Sequence, residues 1–361
     1  MKGLREGLTT GTCAAAAVMA AAMMLRGDSQ PESVEIELPD SERVSVPVLY
    51  ARVSDEGIGE AAVKKDAGDD PDTTNGATIV ATVKWAETGG VVFHAGEGVG
   101  IVTKPGLSVA VGEPAINPVP RRMIAQALRE VDDRPASVTI SIPGGCELAA
   151  RTFNPRLGVE GGLSILGTSG RVRPYSSSAL RDALKCSLDV AAACGIDAPV
   201  LVPGRIGERA ARANFDLGPE QVVEVVNEWG FMLDAASGYN FRRLLAVGHP
   251  GKLAKLIEGH WDTHSSRSPS ALPVVSGVAG EIFGGTPGGK TPDEHTTVEG
   301  VFASLDEDEK SALACELAER VRGAIAQRLG ERLEGRLEVA VALSDMAGGL
   351  LGCAGNVEAW R

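Results

Sequence analysis

Aromatic residues are scarce, at 4% of 361 residues, so stacking platforms for single-stranded nucleic acid have no material to form from. CxxC pairs are absent. The cysteines, Cys13, Cys146, Cys186, Cys194, Cys315 and Cys353, are scattered without zinc-ligand spacing. Such thiols read as reduced, small core residues and point to a cytoplasmic address. Positive charge is in deficit: 35 Lys+Arg stand against 48 Asp+Glu, a formal net charge of -13. That excludes a general nucleic-acid or membrane-surface binder, since both want a basic face. It leaves room for an acidic ligand held by a local basic cluster. The apolar run at 13–25, behind Lys2 and Arg5, imitates a signal peptide. Its Ala and Met content, with Glu6 and a Thr/Gly cluster ahead of it, points instead to a buried helix, and no other run is long enough to span a bilayer. No standard dinucleotide fingerprint GxGxxG occurs, and no catalytic triad or zinc site stands out.

What is present is a globular composition, 43% hydrophobic and 23% charged, with 45 glycines. The length fits two domains. Many glycines imply tight loops and close approaches of backbone to ligand. Thr9, Thr10, Gly11 and Thr12 precede the Ala-rich run, as caps precede a helix. Alternating stretches at 34–38, 44–48 and 77–83 predict strands with one wet face, and 91–95 and 99–103 predict two more. A helix is expected at 118–131 and a strand at 137–142. Residues 1–145 thus read as an α+β domain with mostly antiparallel strands.

Beyond Gly144-Gly145 the texture changes. Short apolar runs at 163–166, 199–202 and 244–247 end in glycine loops, and helical patterns follow from about Ser178, Glu208 and Lys252. This is the grammar of an α/β domain with a mainly parallel sheet, assigned to 146–361. Ligands of such sheets bind beyond the carboxyl ends of the strands. The three loops contribute Gly167, Thr168, Ser169 and Gly170; then Gly204 and Gly207; then Gly248, His249, Gly251 and Lys252. Residues 265–300 read as a long irregular loop, 305–329 as an amphipathic helix and 337–343 as a last strand.

Several motifs carry weaker signals. Residues 284–291 match GxxxxGK[ST] literally, but Pro292 and a polar run follow where a P-loop needs its helix, so a surface loop is expected. His260 and His264 are spaced to share a helix face, without a third ligand, and no protein-bound metal is expected. Residues 64–72, dense in Lys and Asp, read either as a solvated turn or as a rigid ligand-facing loop, since Asp can bond its own backbone. The Gly/Pro-rich stretch 96–122 ends at Asn117, Arg121 and Arg122, at a helix start where donors can converge on carboxylates.

Taken together, residues 5–17, 63–72, 98–122, 167–176 and 251–265 resemble, in order along the chain, the family of cobalt-precorrin-5B C1-methyltransferases of anaerobic cobalamin synthesis. The resemblance implies methyl transfer from S-adenosylmethionine to ring carbon C1 of a cobalt-bound corrinoid, giving cobalt-precorrin-6A. Cobalt then enters only as part of the substrate. It also implies a two-domain fold outside the common precorrin methyltransferase fold. The glycine-rich stretch 277–290 looks like an insertion relative to the family. The substrate carries many carboxylates, so an acidic protein needs local cations for it. The matching motifs supply Lys64, Lys65, Lys104, Arg121 and Arg122, together with Thr10, Thr12 and Asn117. In-line placement is the main requirement of methyl transfer. A carboxylate of the 64–72 loop, Asp66 or Asp70, is expected to take the lost proton or steady the sulfonium. The three glycine loops are expected to hold the donor. A non-catalytic corrinoid carrier is the alternative, and a homo-oligomer stays open.

Overall fold

The computed structural model describes residues 3–284, 295–330 and 337–361. The chain divides into two compact units, Met1–Ser177 and Ser178–Arg361.

The first unit runs β1 (Gly7–Leu8), α1 (Thr10–Arg26), β2 (Ser33–Glu37), β3 (Arg43–Pro47), β4 (Tyr50–Val53), β5 (Gly59–Lys64), β6 (Thr78–Trp85), β7 (Val91–Ala95), β8 (Ile101–Val102), α2 (Pro118–Val131), β9 (Ala136–Ser141), α3 (Gly145–Ala149), β10 (Val159–Glu160) and β11 (Arg171–Val172). Its main sheet has the order β4-β5-β6-β9-β7, antiparallel except where β7 joins β9. Helix α1 is buried on every side from Thr10 to Ala22, as a helix of small apolar residues must be. It packs on β5, β6 and α2. A Cβ at Gly59 would come within 2.3 Å of the Ala21 carbonyl oxygen, so helix and strand backbones nearly touch. Gly27, at φ 97°, ends the helix in a left-handed cap.

The second unit runs α4 (Ser177–Ala193), β12 (Val200–Val202), α5 (Arg205–Asn214), β13 (Val222–Glu224), α6 (Trp229–Ala236), β14 (Arg243–Gly248), α7 (Pro250–Leu253) with a 3-10 turn over Ala254–Glu258, α8 (Leu272–Phe283), α9 (Val298–Ala303), α10 (Glu307–Leu329), β15 (Glu338–Ser344) and β16 (Leu350–Ala354). Its sheet has the order β13-β12-β14-β15-β16, parallel except for β16. The first strand, β12, lies between the second and the third, so the winding reverses there: this is the doubly wound switch point. Among the described residues no helix is long and apolar enough to cross a membrane.

Three expectations need correction. The division falls at Ser177, not at 145, because residues 146–177 return to the first unit: β10 pairs with β8 and β11 with β1. The run 163–166 is therefore no strand of the parallel sheet; Leu163 and Ile165 make single bridges to Val99 and Ile116. Residues 265–300 include α8 and α9. In α8 the glycines lower helix propensity, but Val275, Val278 and Ala279 bury a helical stripe and Pro273 suits the first turn. The expected insertion 277–290 thus begins inside α8; its remainder, with the P-loop-like 285–291, lies outside the described residues.

Candidate active site

In the first unit, the start of α1 is closed. Thr9 caps it, accepting from the Thr12 amide at 3.2 Å. Thr12 Oγ1 donates to Gly170 O at 2.7 Å. Leu166 N donates to Thr10 Oγ1 at 2.9 Å, and Gly11 N donates to Leu166 O at 3.0 Å. Thr10 and Thr12 are buried. They hold the 164–170 segment against the helix. Gly167, Thr168, Ser169 and Gly170 accordingly form a loop of the first unit, not a strand end of the parallel sheet. At Gly167, φ 131°, a Cβ would lie 2.5 Å from the Thr9 side chain.

The 64–72 loop is locked by its own charges. Lys65, 2% exposed, gives its ammonium to Asp72 at 2.6 Å, so it is a structural cation. Asp66 takes the Arg5 guanidinium through Nη2–Oδ1 at 2.9 Å and the Gly68 amide at 2.9 Å. The Arg5 hydrogen bonds, then the Gly68 amide, hold its carboxyl below the usual range. Asp70 Oδ1 accepts from the Tyr175 amide at 2.9 Å, which pins Tyr175 at φ 57°. Lys64, at the end of β5, is exposed.

An open pocket of about 610 Å³ runs along the edge strand β7 beside the turn at Gly112–Pro114. Arg121 is fixed in its wall: Nε donates to Ile116 O at 2.8 Å, and Nη2 to Pro114 O and Glu113, each at 3.2 Å. Its guanidinium lies 5.3 Å from the Phe93 ring centroid. The two Nη1 donors have no hydrogen-bond partner among the described residues. Asn117 is the residue before α2, its side chain not used as a cap, and Arg122 beside Arg121 is exposed. The Lys104 stem lies over Gly158, where a Cβ would approach its carbons to 2.4 Å. Phe93 escaped the sequence reading: it lies outside the motifs and reaches Arg121 from strand β7, whereas Glu113 lies within the 96–122 stretch but its pairing with Arg121 was not read there.

In the second unit, the loops after β12 and β14 meet at the switch point. A Cβ at Gly248 would lie 3.2 Å from the Pro203 ring. Gly204, at φ 145°, would carry a Cβ 3.4 Å from Glu224 Oε1 at the end of β13. Glu224 follows Gly204 by twenty residues. This is the spacing at which doubly wound sheets place a carboxylate for ribose hydroxyls, a signal available in the sequence. His249 caps α7 by accepting from the Gly251 amide at 3.0 Å through Nδ1. Burial pushes its imidazole below the usual value, against the opposing pull of Glu299 and then Asp345. At the end of β15 the buried Ser344 hydroxyl has no hydrogen-bond partner among the described residues. Lys252 Nζ donates to Asn227 Oδ1 at 2.5 Å. Among the described residues no cluster of three His, Cys, Asp or Glu side chains could hold a metal ion.

The family model described as CbiD matches residues 1–174, and that described as CbiD, C-terminal domain, matches residues 262–355. A protein of Syntrophotalea carbinolica named cobalt-precorrin-5B C(1)-methyltransferase is 52% identical over 100% of this chain and 100% of its own length. One of the same name from Moorella thermoacetica is 40% identical over 97% of this chain and 94% of its own. The crystal structure of a cobalamin biosynthesis protein (cbiD) from Archaeoglobus fulgidus is 32% identical, covering 69% of this chain and 78% of that one, with a TM-score of 0.39. The first model ends three residues before the division between the two units; matched from end to end by curated relatives, the chain belongs to the CbiD family.

Proposed function

We propose that this protein methylates C1 of cobalt-precorrin-5B with S-adenosylmethionine as donor, giving cobalt-precorrin-6A in cobalamin biosynthesis. The observation that carries this reading is the 52% identity to a relative of that name over the full length of both chains. The cobalt belongs to the substrate.

The residues at the β12/β14 switch point fit an adenosyl ligand. Gly204 and Gly207 let backbone approach it, Glu224 offers acceptors to ribose hydroxyls, and the Ser344 hydroxyl, without a hydrogen-bond partner among the described residues, lies at the same carboxyl edge of the sheet. When bound there, the donor supplies an electrophilic methyl on sulfonium, and transfer depends on in-line placement against the ring carbon. We assign the corrinoid to the first unit. Arg121 Nη1 takes one peripheral carboxylate, with Arg122, Asn117, Lys64 and Lys104 as further donors. Of the two aspartates, Asp70 is the better proton acceptor: Asp66 is tied to Arg5, whereas Asp70 Oδ2 has no partner among the described residues.

Anaerobic incubation with cobalt-precorrin-5B and methyl-labelled S-adenosylmethionine tests this. Label at C1, with one S-adenosylhomocysteine formed per label, is the expected result. Tight corrinoid binding without label would make the protein a carrier and overturn the proposal.

A further inference from the structure

Two lysines in the turns after β14 stand close together, with no ion pair to an acid among the described residues. Lys252 Nζ and Lys255 Nζ both donate to the Thr263 carbonyl, at 3.5 and 3.3 Å, so the two nitrogens lie within about 7 Å of each other. Lys255 is 6% exposed. Its other partner is the neutral Ser268 hydroxyl at 2.9 Å. Among the described residues neither lysine has a carboxylate within ion-pair distance. The nearby carboxylates are taken: Glu228 by Arg181 at 2.7 Å and Arg267 at 3.8 Å, Asp262 by Arg267 at 2.9 Å. Those two acids are thus engaged by arginines and not by the lysines, in a protein whose net charge is -13. A buried charge is costly unless paired. Burial and then Lys255 depress the Lys252 ammonium, with Asp262 opposing.

Asn227 completes the arrangement. Its Oδ1 accepts from Lys252 at 2.5 Å and from Thr263 Oγ1 at 3.3 Å. This leaves both Nδ2 donors, with no partner among the described residues, for an acceptor. Val226 just before it is held at φ 53°, a strained conformation for a β-branched residue and one that concentrates at functional sites.

We infer that Lys252, Lys255 and Asn227 form a carboxylate-binding site. The inference deepens the proposed donor site and rests on it in one respect: one source of the carboxylate is the donor's methionyl group. The other is a peripheral carboxylate of the corrinoid. Ammonium and amide donors suit either, as charge-assisted bonds.

The test uses the full chain and four probes: S-adenosylhomocysteine and its decarboxylated counterpart, cobyrinic acid and its carboxyl-esterified form. Titration calorimetry on the wild type should show at least one carboxylate-bearing probe bound about tenfold or more tighter than its truncated partner. Lys255→Met and Lys252→Met should each erase that preference while leaving the truncated probe's affinity unchanged, which also reports that the variant is folded. Loss of preference in the adenosyl pair names the donor as source; loss in the corrinoid pair names the substrate. A wild type that prefers neither carboxylate overturns the site without any variant. So do variants that keep the wild-type preferences. If no adenosyl probe binds the wild type, the donor-site reading falls, and the corrinoid pair alone decides this site.

Discussion

Asp72 accepts the Lys65 ammonium at 2.6 Å, and the lysine side chain is 1% exposed. Thr74 supports the same carboxylate through its amide and its hydroxyl, both at 2.7 Å. The charged loop at 64–72 is thereby anchored from within, and its folded shape depends on the pair.

Breaking this pair from one side should be costly. Asp72→Asn leaves a buried ammonium facing a neutral amide, an expected loss of about 3–5 kcal/mol. The double variant Lys65→Met/Asp72→Leu should recover most of it. Burial alone would raise the Asp72 carboxyl, but Lys65 and Thr74 outweigh it and the net shift is downward. Its stabilisation is thus present above the unfolded value, about 3.9, and is lost as pH falls through the lower folded value. Denaturant midpoints for the three proteins decide the matter; Asp72→Asn within error of wild type would mean that the pair is idle.

Arg121→Ala should weaken cobalt-corrinoid binding by about tenfold or more, the loss of one charge-assisted bond. Arg121→Lys should restore little, because lysine lacks the fork that reaches Ile116, Pro114 and Glu113 while presenting Nη1 to a ligand. Binding of S-adenosylhomocysteine should be unchanged in both. A donor affinity that collapses while corrinoid affinity holds would reverse the assignment of the two ligands to the two units.

The sequence made α1 and α2 legible because capping residues, alanine propensity and apolar spacing agree there. Strands β4 and β5 were not legible: β5 reads Gly-Glu-Ala-Ala-Val-Lys, small residues lying against α1 without the alternation that marks a half-exposed strand. Residues 146–177 misled for another reason. Their glycine-rich texture is that of a strand–loop–helix unit, but their partners, Thr10, Thr12 and β8, are more than fifty residues away. Lys65 showed the same limit at the site, since charge is visible in a sequence and burial is not. Arg121 was recoverable from its place at a helix start. Lys255, one helical turn after Lys252, passed unnoticed because its meaning depends on the absence of an acid in space.

Glu224→Gln should weaken S-adenosylhomocysteine binding by about tenfold or more, since amide oxygen replaces a charged acceptor at the ribose. Gly204→Val should do so more strongly. Its φ of 145° strains any side-chain-bearing residue, and a Cβ there meets Glu224 at 3.4 Å. Corrinoid affinity should be untouched by either change. Equal donor affinity in wild type and Glu224→Gln would remove this carboxylate from the site.

His249 gives the second unit a pH dependence of defined sign. Its Nδ1 must be unprotonated to accept from the Gly251 amide. Burial holds the imidazole below its unfolded value, although Glu299, 3.6 Å from Nε2, and Asp345 pull the other way. The unfolded chain therefore binds more protons than the folded one just below that unfolded value, about 6.5, and stability must fall with pH there. The contribution is complete above that pH and declines as pH drops towards the folded value. His249→Asn keeps a cap acceptor without a titrating group. Melting temperatures between pH 7.5 and about 5.5 should fall more steeply for wild type than for His249→Asn, the curves converging at the acid end. Parallel curves would show that folding does not depress the imidazole in this window, and the pH dependence assigned to His249 would fall.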